Sequence, residues 1–282
     1  MVNSIPSNEP ISEAEALERL SQQDDPSLQC YGAWWLGRMR SSHPEAIPLL
    51  LNCLNRQLNS IQLEPEALAV GRSAARSLGK LQAEAALPLL LKALNHPDHG
   101  LREAAARSLG ELGDPTAIAA LMGRLQQPLA GEPVGNGLNL AEPCEALLEA
   151  IGQIYLVSGV KASAESTKAL EAFQCHSRPL VASAASRALL QLSGEAKWAE
   201  PMVALLQHPQ LQMRRAALMD LAACGWRPAA EAISGCLAEN SLKLIALRRL
   251  VEEPLGEPLG EPHPGALGAR EKELLALMDG LL

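Results

Sequence analysis

The sequence predicts an all-α chain, an α-solenoid of about seven stacked helix pairs curved into a right-handed superhelix. Three observations predict it. A short segment recurs at near-regular spacing, a segment with helical periodicity accompanies each copy, and aromatic residues are almost absent. Of 282 residues, 48% are apolar and 20% charged, a globular balance, yet aromatics are only 2%. A large β-sandwich or α/β core normally holds more rings, whereas Ala and Leu suffice for helix–helix seams.

The repeat decides the class. AAARSLG at 104–110 matches SAARSLG at 73–79, and YGAWWLG at 31–37 fits the same frame. Gly37, Gly79, Gly110 and Gly152 mark one column, continued without glycine by AASRALL at 184–190 and AALMDLA at 216–222. The base unit is near 31 residues, and two units carry inserts, at 56–66 and 127–142. The companion segments, such as PEAIPLLLNCLN from Pro44 and DPTAIAALMGRLQ from Asp114, place apolar residues at i, i+3, i+4 and i+7. Pro44, Pro115 and Pro228 stand near their first turns, where a missing N–H costs nothing. A helix–turn–helix unit of this length is a HEAT-type repeat.

The second helices are expected at 27–40, 67–81, 100–112, 142–156, 179–192, 211–224 and 241–252. The Gly/Pro-rich insert QQPLAGEPVGNGLNLA reads as an exposed loop. Residues 1–11 read as a flexible N-terminus, 12–252 as one cooperative solenoid, 253–268 as a Pro/Gly-rich linker and 269–282 as a short C-terminal helix.

Several function classes are disfavoured. A net charge of −8 argues against a nucleic-acid partner, which needs a basic face. No apolar run reaches 18 residues, so no membrane span is expected. The first twenty residues lack the pattern of a signal peptide, and the scattered cysteines form no CxxC, which points to a cytoplasmic chain with reduced thiols. No HExxH, P-loop, GxGxxG or GxSxG occurs, and no His-Glu dipeptide, so no metal site is expected. His43, His96 and His208 precede prolines and read as turn residues.

Two constellations stand out. Tyr31, Trp34 and Trp35 are three of the seven aromatics and share one helix face at i, i+3 and i+4. Trp34 falls in the column of Arg76, Arg107 and Arg187, and Trp35 in that of Ser77 and Ser108. These rings serve either as a wall for a planar ligand or a partner, or as a cap that closes the end of the stack. The second is a run of arginines on second helices. Arg102 and Arg214 read as structural, with Arg102 pairing to Asp98 in the preceding turn. Arg38, Arg72, Arg76 and Arg107 are candidates for binding the carboxylates of an organic acid.

CYGAWWLGRMRSSHPEAIPLLL at 30–51 resembles the E subunit of the E/F-type phycobilin lyases, whose motif is YYAAWWLG. GRSAARSLGKL at 71–81, LREAAARSLGELGDPTAI at 101–118, LQMRRAALMDLAACGWRPAAEAI at 211–233 and ENSLKLIALRRLV at 239–251 extend the similarity over roughly residues 12–252. Cys30 and Gly32 depart from the motif. The resemblance implies a subunit that binds a linear tetrapyrrole and attaches it by a thioether to a cysteine of the phycocyanin α subunit during phycobilisome assembly. It implies an F-type lyase subunit as heterodimer partner, the apo-phycobiliprotein α subunit as acceptor, and phycocyanobilin as substrate, with no permanently bound cofactor. Tyr31, Trp34 and Trp35 would then contact the bilin, and Arg38, Arg72, Arg76 and Arg107 its propionates. Asp98 or Glu103 would accept the pyrrole N–H groups. The alternative is a non-catalytic HEAT scaffold or chaperone whose aromatic–arginine patch is a protein-binding hot spot.

Overall fold

The computed structural model describes residues 11–22, 24–60, 64–127, 130–134, 139–255 and 268–282. Residues 1–10 of the expected N-terminal segment and 256–267 of the expected linker lie outside the described residues, as do 61–63, 128–129 and 135–138 within the two inserts. The described chain is helical throughout apart from one two-stranded hairpin. It divides into two compact units, residues 1–120 and 121–282.

The first unit holds α1 (Glu13–Ser21), α2 (Pro26–Arg38), α3 (Ala46–Asn59), α4 (Pro65–Lys80), α5 (Leu87–Ala93) and α6 (His99–Leu112). Polar caps set the starts. Ser12 Oγ accepts the Glu15 N–H, Asp25 accepts the Ser27 and Leu28 N–H groups, and Asp98 accepts the Leu101 N–H at 2.7 Å. Each satisfies donors that the first helical turn leaves open. Pro26 and Pro65 open α2 and α4 at positions that need no N–H. Gly113 ends α6 at φ 69°, a left-handed conformation that costs other residues energy.

α2, α4 and α6 lie side by side, and the glycine column is what lets them approach. A Cβ on Gly37 would sit 2.7 Å from Ser77 Cα, and one on Gly79 would sit 2.7 Å from Ser108 Cα. The facing serines tie the same seams. Ser77 Oγ donates to Ala33 O at 2.6 Å, and Ser108 Oγ to Ala75 O at 2.8 Å. Around these seams the core is leucine and alanine, with Leu36, Leu50, Leu54, Leu78, Leu90 and Leu109 fully buried.

α7 (Ile118–Leu125) begins in the first unit and continues into the second, which holds α8 (Cys144–Ser158), α9 (Ala164–Glu171), α10 (Pro179–Ser193), α11 (Glu200–Leu205), α12 (Leu211–Cys224), α13 (Ala230–Gly235), α14 (Asn240–Glu252) and α15 (Ala269–Asp279). Single 3-10 turns lead into α5, α7, α11 and α13, with Pro115 and Pro228 inside two of them. The seven second helices stand within about three residues of their predicted bounds, and the apolar period is the reason. In this unit α15 packs on α13 and α14 through Leu274, and Arg227 bridges to Glu271 at 2.8 Å.

The 127–142 insert is exposed at Gln127, Glu132, Pro133, Val134 and Asn139, as expected, but it is not all loop. Pro133–Val134 (β1) pairs antiparallel with Asn139–Leu140 (β2), and Ala130, Leu140 and Glu142 are buried. Glu142 takes an ion pair with Arg124, and Cys144 Sγ donates to Ala130 O, so polar ties draw the segment onto the helices.

The His-Pro turns follow one pattern. His96 Nδ1 accepts the Asp98 N–H and His208 Nδ1 the Gln210 N–H, both at 3.1 Å, while His43 Nδ1 accepts the Glu45 N–H. Arg102 donates to the carbonyls of His96 and Pro97, and Arg214 to those of His208 and Pro209. Both arginines therefore brace turns, as expected. The carboxylate of Asp98, however, receives Arg72 from the neighbouring repeat, because α4 and α6 adjoin.

Candidate functional site

α2 and α4 enclose an open groove of about 550 Å³. Cys30, Tyr31 and Trp34 line it from α2, and Glu66, Ala69 and Ser73 from α4. The α2 residues share one helix face, and 66, 69 and 73 share another, by the i, i+3, i+4, i+7 rule. Tyr31 is 42% exposed and Trp34 47% exposed, on a chain whose other tryptophans are at least partly packed. Their ring centroids lie 5.6 Å apart at a 35° tilt, and the Arg19 guanidinium sits 5.4 Å above the Tyr31 ring. That cation, itself bonded to Glu15 at 2.7 Å, holds the phenol ring in place. The floor is polar on one side: Cys30 Sγ and Ser73 Oγ are 3.1 Å apart, and Cys30 also donates to Ala69 O. Such a groove offers an apolar aromatic wall and, among its described lining residues, a single carboxylate, that of Glu66.

The other predicted site residues separate from this groove. Trp35 is half-buried and does not line it. Its column supplies Ser77 and Ser108, which turn to the preceding second helix. Arg38 is exposed, one turn beyond Trp34 on the Tyr31 stripe, and carries no ion pair among the described residues.

Arg72, Arg76 and Arg107 form a second cluster across α4 and α6. Arg72 grips Asp98 with both arms, Nε to Oδ1 at 2.7 Å and Nη2 to Oδ2 at 2.5 Å. Gly100 makes room for it, since a Cβ there would lie 2.6 Å from Arg72 Nε. Burial alone would raise the Asp98 carboxyl. The Arg72 bonds, the Leu101 N–H and the Arg72 charge outweigh it and hold the group below its ordinary value. Glu103 lies 3.6 Å from Arg76 and accepts Arg107 Nε at 3.1 Å. The carboxylates expected to face a ligand thus already neutralise the arginines expected beside them.

Glu66 escaped the sequence reading because it sits at the edge of the 56–66 insert. The signal was present: counting back from Ser73 and Ala69 at helical spacing reaches it. Cys30, which the sequence marks as a departure from the family motif, also lines the groove. Among the described residues no cluster of His, Cys, Asp and Glu could hold a metal ion. No described helix is long and apolar enough to cross a membrane.

Known proteins match this chain along most of its length. Residues 28–56 match the PBS lyase HEAT-like repeat and residues 61–132 match HEAT repeats. The bilin biosynthesis protein RpcE of Synechococcus sp. (strain WH8020) is 49% identical over 249 residues, covering 88% of this chain and 92% of that protein. The phycocyanobilin lyase subunit alpha of Synechocystis sp. (strain ATCC 27184 / PCC 6803 / Kazusa) is 40% identical, covering 95% of each. A chain of the solved complex of CpcE and CpcF of phycocyanin lyase from Nostoc sp. PCC7120 superposes with a TM-score of 0.82 at 35% identity, covering 100% of this chain and 99% of that one. Similarity of this extent, with the same repeats, places the chain in the family of the phycocyanobilin lyase α subunits, the E-type bilin lyase subunits.

Proposed function

We propose that the chain is the E-type subunit of a heterodimeric bilin lyase, which binds a linear tetrapyrrole and presents it to a cysteine of the phycocyanin α subunit in the cytoplasm. One observation carries the reading: the groove between α2 and α4, with Tyr31 and Trp34 held exposed along it. An aromatic wall of this kind matches the conjugated face of a bilin, and the Arg38 cation on the same stripe matches a propionate. Arg72, Arg76 and Arg107 would reach the second propionate only by exchanging Asp98 or Glu103 for it.

The reaction is an addition with nothing leaving. The acceptor sulfur forms a bond to the ethylidene carbon of ring A, and the thiol proton ends on the adjacent ring carbon. The lyase gains rate by holding the ethylidene near the thiol and shielding the pigment from other nucleophiles and from oxidation. The bilin, phycocyanobilin in this reading, is substrate, and the chain keeps no permanent cofactor. The F-type subunit completes the enzyme.

Reconstitution in a heterologous host tests this. The chain is co-expressed with an F-type subunit, bilin-forming enzymes and the apo-phycocyanin α subunit, and zinc-enhanced fluorescence of the denatured α subunit is read. Covalent pigment that requires the chain, and is lost in Trp34→Ala, is the expected result. Pigment-free α subunit beside an intact complex would instead favour a scaffold.

A further inference from the structure

Among the described residues that line the groove, one is charged. Glu66 stands in the first turn of α4, exposed, with no ion pair or hydrogen bond among the described residues. The Tyr31 and Trp34 rings and the Cys30–Ser73 pair line the same groove. Asp98 and Glu103 are occupied by arginines and lie outside the groove. A linear tetrapyrrole has two flat faces and, along its inner edge, pyrrole N–H groups that converge. A carboxylate can accept two of these at once, and it favours the protonated, cationic form of the pigment by ion pairing. The opposite choice, a neutral groove, would leave those donors to water.

We infer that Glu66 is the carboxylate that binds the pyrrole N–H edge of the bilin and holds the pigment in its protonated form while Tyr31 and Trp34 cover its face. This rests on the reading of the groove as a bilin site. Glu66 is thereby a binding residue that chooses both orientation and electronic state. An acid at a helix start also favours the helix dipole, and that structural role would not alter the pigment's colour.

The test is an absorption titration of the purified complex of this chain with its F-type partner, using free phycocyanobilin as the probe. With the parent chain the long-wavelength band shifts to the red and gains intensity. Glu66→Gln loses that change and binds about ten-fold more weakly, the loss of one charge-assisted pairing. Glu66→Asp regains part of the band. A Glu66→Gln complex with the parental spectrum, while Trp34→Ala abolishes binding, overturns the Glu66 assignment and leaves the groove reading standing. Failure of the parent complex to bind the pigment overturns both. Circular dichroism of each variant verifies that α4 is formed.

Discussion

Gly79 and Gly123 are both helical glycines, and the packing around them predicts opposite responses to alanine. In an open helix the change gains about 1 kcal/mol from backbone propensity. Gly123 in α7 has no heavy atom within 4 Å of a new Cβ, so Gly123→Ala should realise that gain. At Gly79 the new methyl would lie 2.7 Å from Cα and Cβ of Ser108. Carbon contacts settle at about 3.5–4.0 Å, so α4 and α6 must separate by about 1 Å. Overpacking of this kind costs about 1–3 kcal/mol. The separation also stretches the buried Ser108 bond to Ala75 O, now 2.8 Å, at a further cost of about 1 kcal/mol. The net expectation for Gly79→Ala is a loss of about 2 kcal/mol, or about 4–8 °C in melting temperature. Thermal and urea unfolding followed by circular dichroism measure it, with Gly123→Ala as the internal control. A Gly79→Ala chain as stable as the parent would refute the claim that the glycine column exists for helix approach.

Three further outcomes follow from the same geometry. Gly32→Ala would place its methyl 2.6 Å from Ala16 O, so α1 should loosen, seen as faster amide exchange over Glu13–Ser21, although the family motif carries Ala there. Native alkylation should modify exposed Cys175 readily and half-buried Cys30 more slowly, while Cys144 and Cys224, whose thiols burial pushes up to about 12, stay unmodified; peptide mass spectrometry reads this, and equal labelling of the buried pair would contradict it. Because Arg72 and the Leu101 N–H hold Asp98 below its ordinary value, its contribution is present above that value and is lost as pH falls through the lowered one. Asp98→Asn should therefore cost about 1 kcal/mol near neutral pH, a figure kept small by the exposure of Arg72, and the gap should close on acidification; a pH-independent gap in urea midpoints would contradict the ion pair.

The sequence by itself determined the repeat, the helices and the turns, because these rest on contacts within about one unit. The apolar period marks the helix faces, prolines such as Pro44, Pro115 and Pro228 mark the starts, and the His-Pro pairs mark the turns. It also singled out Tyr31 and Trp34 as rings on one helix face, with Trp34 in a column that other repeats fill with arginine. Tertiary structure decided the rest, because side chains on adjoining second helices choose partners across a seam that spacing alone does not reveal. Arg72 takes Asp98 from 26 residues away, so each already has a partner within the chain that a ligand would have to displace. Trp35, one position from Trp34, is half-buried and does not line the groove. Glu66 enters the groove because the start of α4 lies opposite α2; helical spacing puts it on one face with Ala69 and Ser73, but which helix that face meets is set by packing.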